Sequence, residues 1–256
     1  MNQEGMYHRQ GSSSRALEMD RHPALIERDR YVISMIREMK KHRDDKDCAI
    51  AELSIGEGRL TLDLANAFPD SQINGFDISS ARIEFVRSLL SASHSEKVAS
   101  VDLFRCNFDS NFSGIQSEAY DFLIALDILE HVLDVFGFIE NCHRVLKAGG
   151  ALILRVPNIA YLKHRVSLMV GSLPVTSSWF GPKGQLEAWH KEHGWDGGHL
   201  HFFTLPMLDS LLRECGFYIE SCRDPGARLE VIRNLVPNLL YSNPLIVAKR
   251  ENAHHN

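Results

Sequence analysis

The chain has 256 residues, 44% of them hydrophobic and 24% charged, and a formal net charge of −5. That is the make-up of an ordinary globular α/β protein, and its acidic balance gives no bulk field for nucleic acid or an anionic membrane. Five scattered cysteines, never spaced CxxC, argue against a disulfide framework or a zinc knuckle, and no apolar run reaches membrane-spanning length.

The first 22 residues are rich in Gly, Ser, Gln and charge, with no apolar core of a leader peptide. They read as a mobile N-terminal segment, and the chain as cytoplasmic. Residues 23–256 read as a single domain. "PALIERDRYVISMIREMKKH" from Pro23 places Leu25, Ile26, Val32, Ile33 and Ile36 near a helical period and ends in lysines, which suits a helix. Strand and helix signals then alternate, as in βαβ units. Strands are expected at 48–55, 72–79, 101–108, 120–127 and 151–158. The helices between them are "RLTLDLANAF", "SARIEFVRSLLSAS" and "VFGFIENCHRVLKAGG", the last stopped by Gly149 and Gly150. "PMLDSLLRECG" is a further helix, and "FYIESCRD" and "NPLIVAKR" are two closing strands. The expected fold is a doubly wound, Rossmann-like α/β sheet with helices on both faces, its ligand crevice at the carboxyl ends of the strands.

Chemistry-bearing residues gather at those ends. Gly56 and Gly58 in the first strand-to-helix turn let backbone approach a ligand, or simply make a tight turn. Thr61 stands where a dinucleotide fingerprint needs its third glycine, so a ligand without phosphates suits this loop, with Glu52 available to an amino group. Asp77 ends the second strand, nineteen positions beyond Gly58. It can accept both hydroxyls of a ribose, cap the next helix, or do both. Asn107 can pair with an adenine edge, with Ile78 and Phe108 at the ring faces, or Asn107 and Asp109 can serve a turn. His131, after the fourth strand, faces the crevice as a base or as a supporting hydrogen bonder.

The runs "ELSIGEG", "GFDIS", "CNF", "YDFLIALDILEHVLD", "HRVLKAGGALILRVPN" and "GGHLHFFTLPMLDSLLRECGF" resemble, in order and spacing, the motifs of class I S-adenosylmethionine-dependent methyltransferases. The resemblance implies a seven-stranded sheet whose last strand is antiparallel, and S-adenosylmethionine as cofactor. It implies that Glu52, Ser54, Gly56 and Gly58 hold the methionine end, Asp77 the ribose, and Ile78, Asn107 and Phe108 the adenine. Ala125 to Asp127, with Leu126 at their centre, would floor the sulfonium. Ser54 departs from the family's first glycine, Ile55 from a usually small residue, and Asn107 from a common aspartate. A looser likeness links "NIAYLKHRVSLMVGSLPVT" to the methionine-biosynthesis protein W group.

The long connection after the fifth strand, about 159–203, reads as a substrate lid. It holds all three tryptophans, Trp179, Trp189 and Trp195, and the run "WHKEHGWDGGHLHFF" with His190, His193, His199 and His201. An aromatic wall excludes water and presents flat surfaces to an acceptor. Trp179, Trp189, His193, Trp195 and His201 are therefore expected to contact the acceptor. His131 is the expected base, and His199 the second catalytic candidate. No HExxH or nearby cysteine accompanies the lid histidines, so no metal is expected.

The expected activity is methyl transfer to a hydroxyl or amine of a small-molecule acceptor (a metabolite, sugar or natural product), with histidine assistance. No nucleic-acid or membrane partner is expected, and homodimerisation is left open. A non-catalytic cofactor-binding partner protein is the first alternative. A protein or RNA methyltransferase is another, disfavoured by the acidic charge and the lack of a PPY-type motif where "ALDILEH" stands. A nicotinamide dehydrogenase is disfavoured by Thr61 and by Arg165 where a YxxxK pair from Tyr161 needs lysine.

Overall fold

A computed structural model describes residues 23–41, 47–92, 99–110, 112, 114–172, 174, 199–225 and 230–251. The segment 1–22 and the expected lid contacts Trp179, Trp189, His193 and Trp195 lie outside these residues. Helix α1 is Pro23–Lys41 and is followed by β1, Ala49–Leu53. Helix α2 (Arg59–Ala67), β2 (Gln72–Asp77), α3 (Ser80–Ala92) and β3 (Ser100–Arg105) form the first half. A short 3₁₀ turn at Phe108–Ser110 leads to β4 (Tyr120–Leu126), α4 (Val135–Val145) and β5 (Leu146–Arg155). Helices α5 (Leu162–Met169) and α6 (Leu205–Glu214) precede β6 (Phe217–Arg223). Two short helices, α7 (Glu230–Leu235) and α8 (Pro237–Leu240), lead to β7 (Leu245–Arg250).

The strands form one sheet in the order β3-β2-β1-β4-β5-β7-β6. Strands β1 to β5 pair in parallel, and β7 runs antiparallel between β5 and β6. This is the expected seven-stranded, doubly wound architecture. Along β5 and β7, alternate side chains serve opposite faces. Leu152, Leu154, Ile246 and Ala248 pack with Phe138, Cys142 and Leu208 of α4 and α6. Ala151, Ile153, Leu245 and Val247 pack with Val32, Ile36 and Leu64 of α1 and α2. Both faces are covered, which is why β1 and β4 read as near-continuous apolar runs, interrupted by Glu52 and Asp121, rather than as alternating ones.

Strands β2, β3 and β5 end two to three residues before their expected limits, and the start of β5 differs in kind. Helix α4 stops at Val145, and residues 146–150 already belong to β5. Leu146 pairs with Tyr120, and the register then shifts before Ala151 meets Phe122. Gly149 takes φ +68°, and a Cβ on Gly150 would stand 2.8 Å from the Lys147 carbonyl. The glycines therefore shape a strand irregularity rather than a helix cap. Among the described residues no helix is long and apolar enough to cross a membrane.

In this strand order the chain reverses direction across the sheet between β1 and β4, which opens a crevice at their carboxyl ends. The candidate residues leave the sheet there.

Candidate functional site

The turn after β1 is folded by left-handed backbone at three alternate residues. Ser54, Gly56 and Gly58 take φ values of +66°, +55° and +80°. The amides of Ser54 and Ile55 both donate to the Phe76 carbonyl, at 2.8 and 3.1 Å, which fastens the turn to the end of β2. The left-handed backbone at 54 explains why glycine is usual there. Serine tolerates the conformation at a cost of about 1–2 kcal/mol.

The two glycines differ. A Cβ on Gly58 would lie 2.5 Å from Val86 Cγ2, so Gly58 is fixed by packing against α3. A Cβ on Gly56 would meet nothing within 4 Å, so its Cα faces open space. Only Gly56 has the character of a surface awaiting a ligand.

Asp77, 1% exposed, binds this turn. Its Oδ2 accepts from the Gly56 amide at 3.2 Å and its Oδ1 from the Ser79 amide at 2.8 Å, and Ser79 Oγ accepts in turn from Arg82 N at 3.4 Å. Asp77 thus serves the helix start, as one of its sequence readings required. A carboxylate has about four acceptor directions. The capacity left after the backbone amides, beside the open Gly56, suits hydroxyl donors. Burial raises the Asp77 pKa, while Arg82 and the backbone amides oppose the rise.

Glu52 is buried, and its Oε2 accepts from Thr61 Oγ1 at 2.6 Å. Burial first, and then the neighbouring Asp29 and Asp77, push its pKa up to about 8 against the opposing Thr61 bond and Arg28. A carboxyl poised there gains from the arrival of a cationic group. Asn107 is exposed and its Oδ1 accepts from the Asp109 amide at 3.1 Å, which realises the turn reading. Phe108 is buried edge-on against Phe112 and Phe138, with ring centres 5.0 and 5.8 Å away. Ile78 and Leu126 are half-buried at the ends of β2 and β4.

Beyond β4 the backbone turns at Asp127, φ +54°, whose carboxylate pairs with Arg155 and lies 3.3 Å from Arg28. Arg28 belongs to α1. Its neighbour Asp29 is fully buried and holds Arg28 at 2.7 Å and Arg59 at 2.6 Å. This ionic chain across the mouth of the crevice is absent from the sequence expectations. Its signal was legible, because Asp29 falls on the apolar stripe of α1 between Leu25 and Val32, where an unpaired charge would be costly.

His131 N donates to the Ile128 carbonyl at 2.9 Å, and Leu133 N to Asp109 Oδ1 at 2.8 Å, which joins this turn to the loop after β3. The returning segment 199–203 lies against it. The amides of Leu200 and His201 both donate to the Glu130 carbonyl, at 2.8 and 3.2 Å, and the His199 and His131 rings meet edge to face at 4.9 Å. The two expected catalytic histidines are therefore together. His201 Nε2 instead donates to the Val132 carbonyl at 3.0 Å and ties the segment down. Glu130, which no sequence expectation included, is 1% exposed beside the histidine pair.

Residues 51–152 match the family model for a methyltransferase domain. Over 115 residues the chain is 38% identical to equisetin synthetase of Fusarium heterosporum, covering 43% of this chain and 2% of that protein. It is 29% identical over 105 residues to the mitochondrial ubiquinone biosynthesis O-methyltransferase of Homo sapiens, covering 41% of this chain and 25% of that one. The chain thus spans a minor part of the length of these relatives. A solved structure from Methanosarcina mazei, described as a SAM-dependent methyltransferase, superposes with a TM-score of 0.58 at 20% identity, covering 84% of this chain and 97% of that one.

Proposed function

We propose that the chain is a class I S-adenosylmethionine-dependent methyltransferase, a reading supported by the methyltransferase-domain match over residues 51–152, and that it methylates a hydroxyl or amine of a small-molecule acceptor with assistance from the histidines at the crevice mouth. The observation that carries this reading is the edge-to-face contact of His131 and His199 directly beyond β4. It sets two imidazoles where an acceptor would reach the crevice. The similarity to a ubiquinone biosynthesis O-methyltransferase supports an oxygen acceptor, and that to equisetin synthetase supports a small-molecule product.

When bound, S-adenosylmethionine supplies an electrophilic methyl group on a sulfonium. Glu52 receives its amino group, Asp77 its ribose hydroxyls, and the open face of Gly56 lets the backbone approach. Ile78, Asn107 and Phe108 border the adenine, and Leu126 borders the methionine side. The acceptor sits against the returning segment, and His131 and His199 help its hydroxyl or amine to lose a proton, which makes the atom nucleophilic. Holding that atom in line is itself the larger part of the task. Trp179, Trp189, His193 and Trp195 complete the acceptor wall in this reading.

Turnover of a panel of phenols, sugar hydroxyls and amines tests the proposal. His131→Ala should cut turnover by about 10²–10⁴ while S-adenosylhomocysteine binds as before. His199→Ala should raise the Michaelis constant more than it lowers turnover. Wild-type protein that binds S-adenosylhomocysteine yet methylates no acceptor of these classes would favour a non-catalytic role. Undiminished turnover in both variants would remove the histidines from the chemistry.

A further inference from the structure

Among the described residues Glu130 stands out. It is 1% exposed, and among the described residues neither carboxylate oxygen has a hydrogen-bond donor. Buried carboxylates are ordinarily paired or hydrogen-bonded, and an isolated one is expensive. Its nearest charged neighbours are Asp127 and Arg155. Arg155 is itself paired with Asp127.

What does face Glu130 is the histidine pair. One carboxylate oxygen of Glu130 and one ring nitrogen each of His131 and His199 all lie within 4.8 Å of one another. We propose that these three residues bind a divalent transition-metal ion, which explains why an acid without a donor is retained beside two imidazoles.

The donor set is one oxygen and two nitrogens. That composition suits zinc, manganese, iron(II) or cobalt(II) better than magnesium or calcium, which prefer all-oxygen shells. An ion about 2.1 Å from each donor brings tetrahedral ligands to about 3.4 Å from one another. The side chains need only close in slightly, because the backbone already holds the two segments together. Leu200 and His201 donate to the Glu130 carbonyl, and His201 reaches Val132. Neighbouring candidates are occupied elsewhere. Asp127 serves Arg28 and Arg155, and His201 serves the Val132 carbonyl. Three protein ligands leave at least one position open.

The inference rests on the methyltransferase reading for its purpose. An acceptor hydroxyl taking the open position forms an oxygen–metal bond and releases its proton to water at a lower pH than it otherwise would. Histidine assistance would then run through the ion rather than through a free imidazole. It also departs from the metal-free expectation, which weighed only the carboxylates of the lid.

The test uses the full chain without an affinity tag, stripped with EDTA and titrated with zinc, manganese and cobalt. One ion per chain, a rise in thermal midpoint on binding, and a visible cobalt spectrum of low coordination number are expected. Glu130→Gln and His199→Ala should each weaken binding by about a hundredfold or more and abolish that rise. A control lacking His254 and His255 should behave as wild type. Absence of binding, or stoichiometric binding unchanged in both ligand variants, overturns the site. S-adenosylhomocysteine calorimetry on the same samples separates the two readings. Retained nucleoside binding without metal binding sinks the metal site alone, and metal binding without nucleoside binding sustains the site while removing the methyltransferase reading.

Discussion

Glu52→Gln should make the protein more stable in mildly alkaline buffer, against the usual expectation for a substitution at a binding site. The buried carboxyl keeps its proton until about pH 8 in the folded chain, whereas the ordinary value of 4.5 governs the unfolded one. Between those limits only the folded state holds the proton. Unfolding therefore releases it, and stability falls as pH rises through the window, levelling above about pH 8. At about 1.4 kcal/mol for each pH unit, Glu52 removes up to about 5 kcal/mol across that range. The amide of glutamine stays neutral throughout and can still accept from Thr61 Oγ1, which lies 2.6 Å from the present carboxyl. The two proteins should be nearly equal at pH 4.5 and should diverge by several kcal/mol at pH 8. Urea unfolding followed by circular dichroism across this range measures the difference directly. If Glu52 holds the cofactor's amino group, the same variant should bind S-adenosylmethionine more weakly, which trades function for stability. A wild-type-to-variant difference that does not change with pH would refute the reasoning.

Asp77→Ala should weaken S-adenosylhomocysteine binding at least tenfold, since each charge-assisted bond is worth about 1.5–3 kcal/mol; unchanged affinity in a folded variant would take Asp77 out of the site. Gly58→Ala should cost stability by about 1–3 kcal/mol, because its Cβ meets Val86 at 2.5 Å. Gly56→Ala, with open space at its Cβ, should stay folded and lose cofactor affinity instead, and equal losses in both assays for the two variants would erase that distinction. Asp29→Ala leaves Arg28 and Arg59 facing one another without their shared carboxylate. It should lower unfolding free energy by about 3–5 kcal/mol, and a loss below 1 kcal/mol would show the ionic chain to be incidental.

The sheet was largely legible because parallel strands buried on both faces leave a plain signature. Ile50 to Leu53 and Phe122 to Ala125 are almost fully buried, and no helical period competes with such short runs. The end of α4 was not legible. The apolar stripe of Phe138, Ile139, Cys142 and Val145 runs on into Leu146 without a break, and a glycine pair in sequence serves a helix cap or a strand bulge equally well. Only the pairing of Leu146 with Tyr120 settles it.

At the site, the turn from 54 to 58 and Asp77 could be found from local spacing, because their geometry is local. The Glu130 cluster could not. Its third member arrives 68 residues after His131, and the contact depends on where the segment after β5 returns to the sheet. Nothing in "ILEHV" distinguishes a buried acid from a solvated one. The Asp29 network lies between these cases, since a charge on an apolar stripe signals a partner without naming it.

The bond from Arg28 to Asp127 spans 99 residues, and that separation has a consequence for the order of synthesis. Chains emerge at about 5–20 residues per second, so α1 precedes its distant carboxylate by roughly 5–20 s. During that interval Asp29 can gather Arg28 and, later, Arg59, but the apolar face of α1 has no β4 or β5 to lie on. Val32, Ile33 and Ile36 must wait for Ile124 and Ile153 before their burial is complete. This early helix is thus among the last elements to be locked, and the crevice cannot acquire its ionic rim until the centre of the sheet has formed.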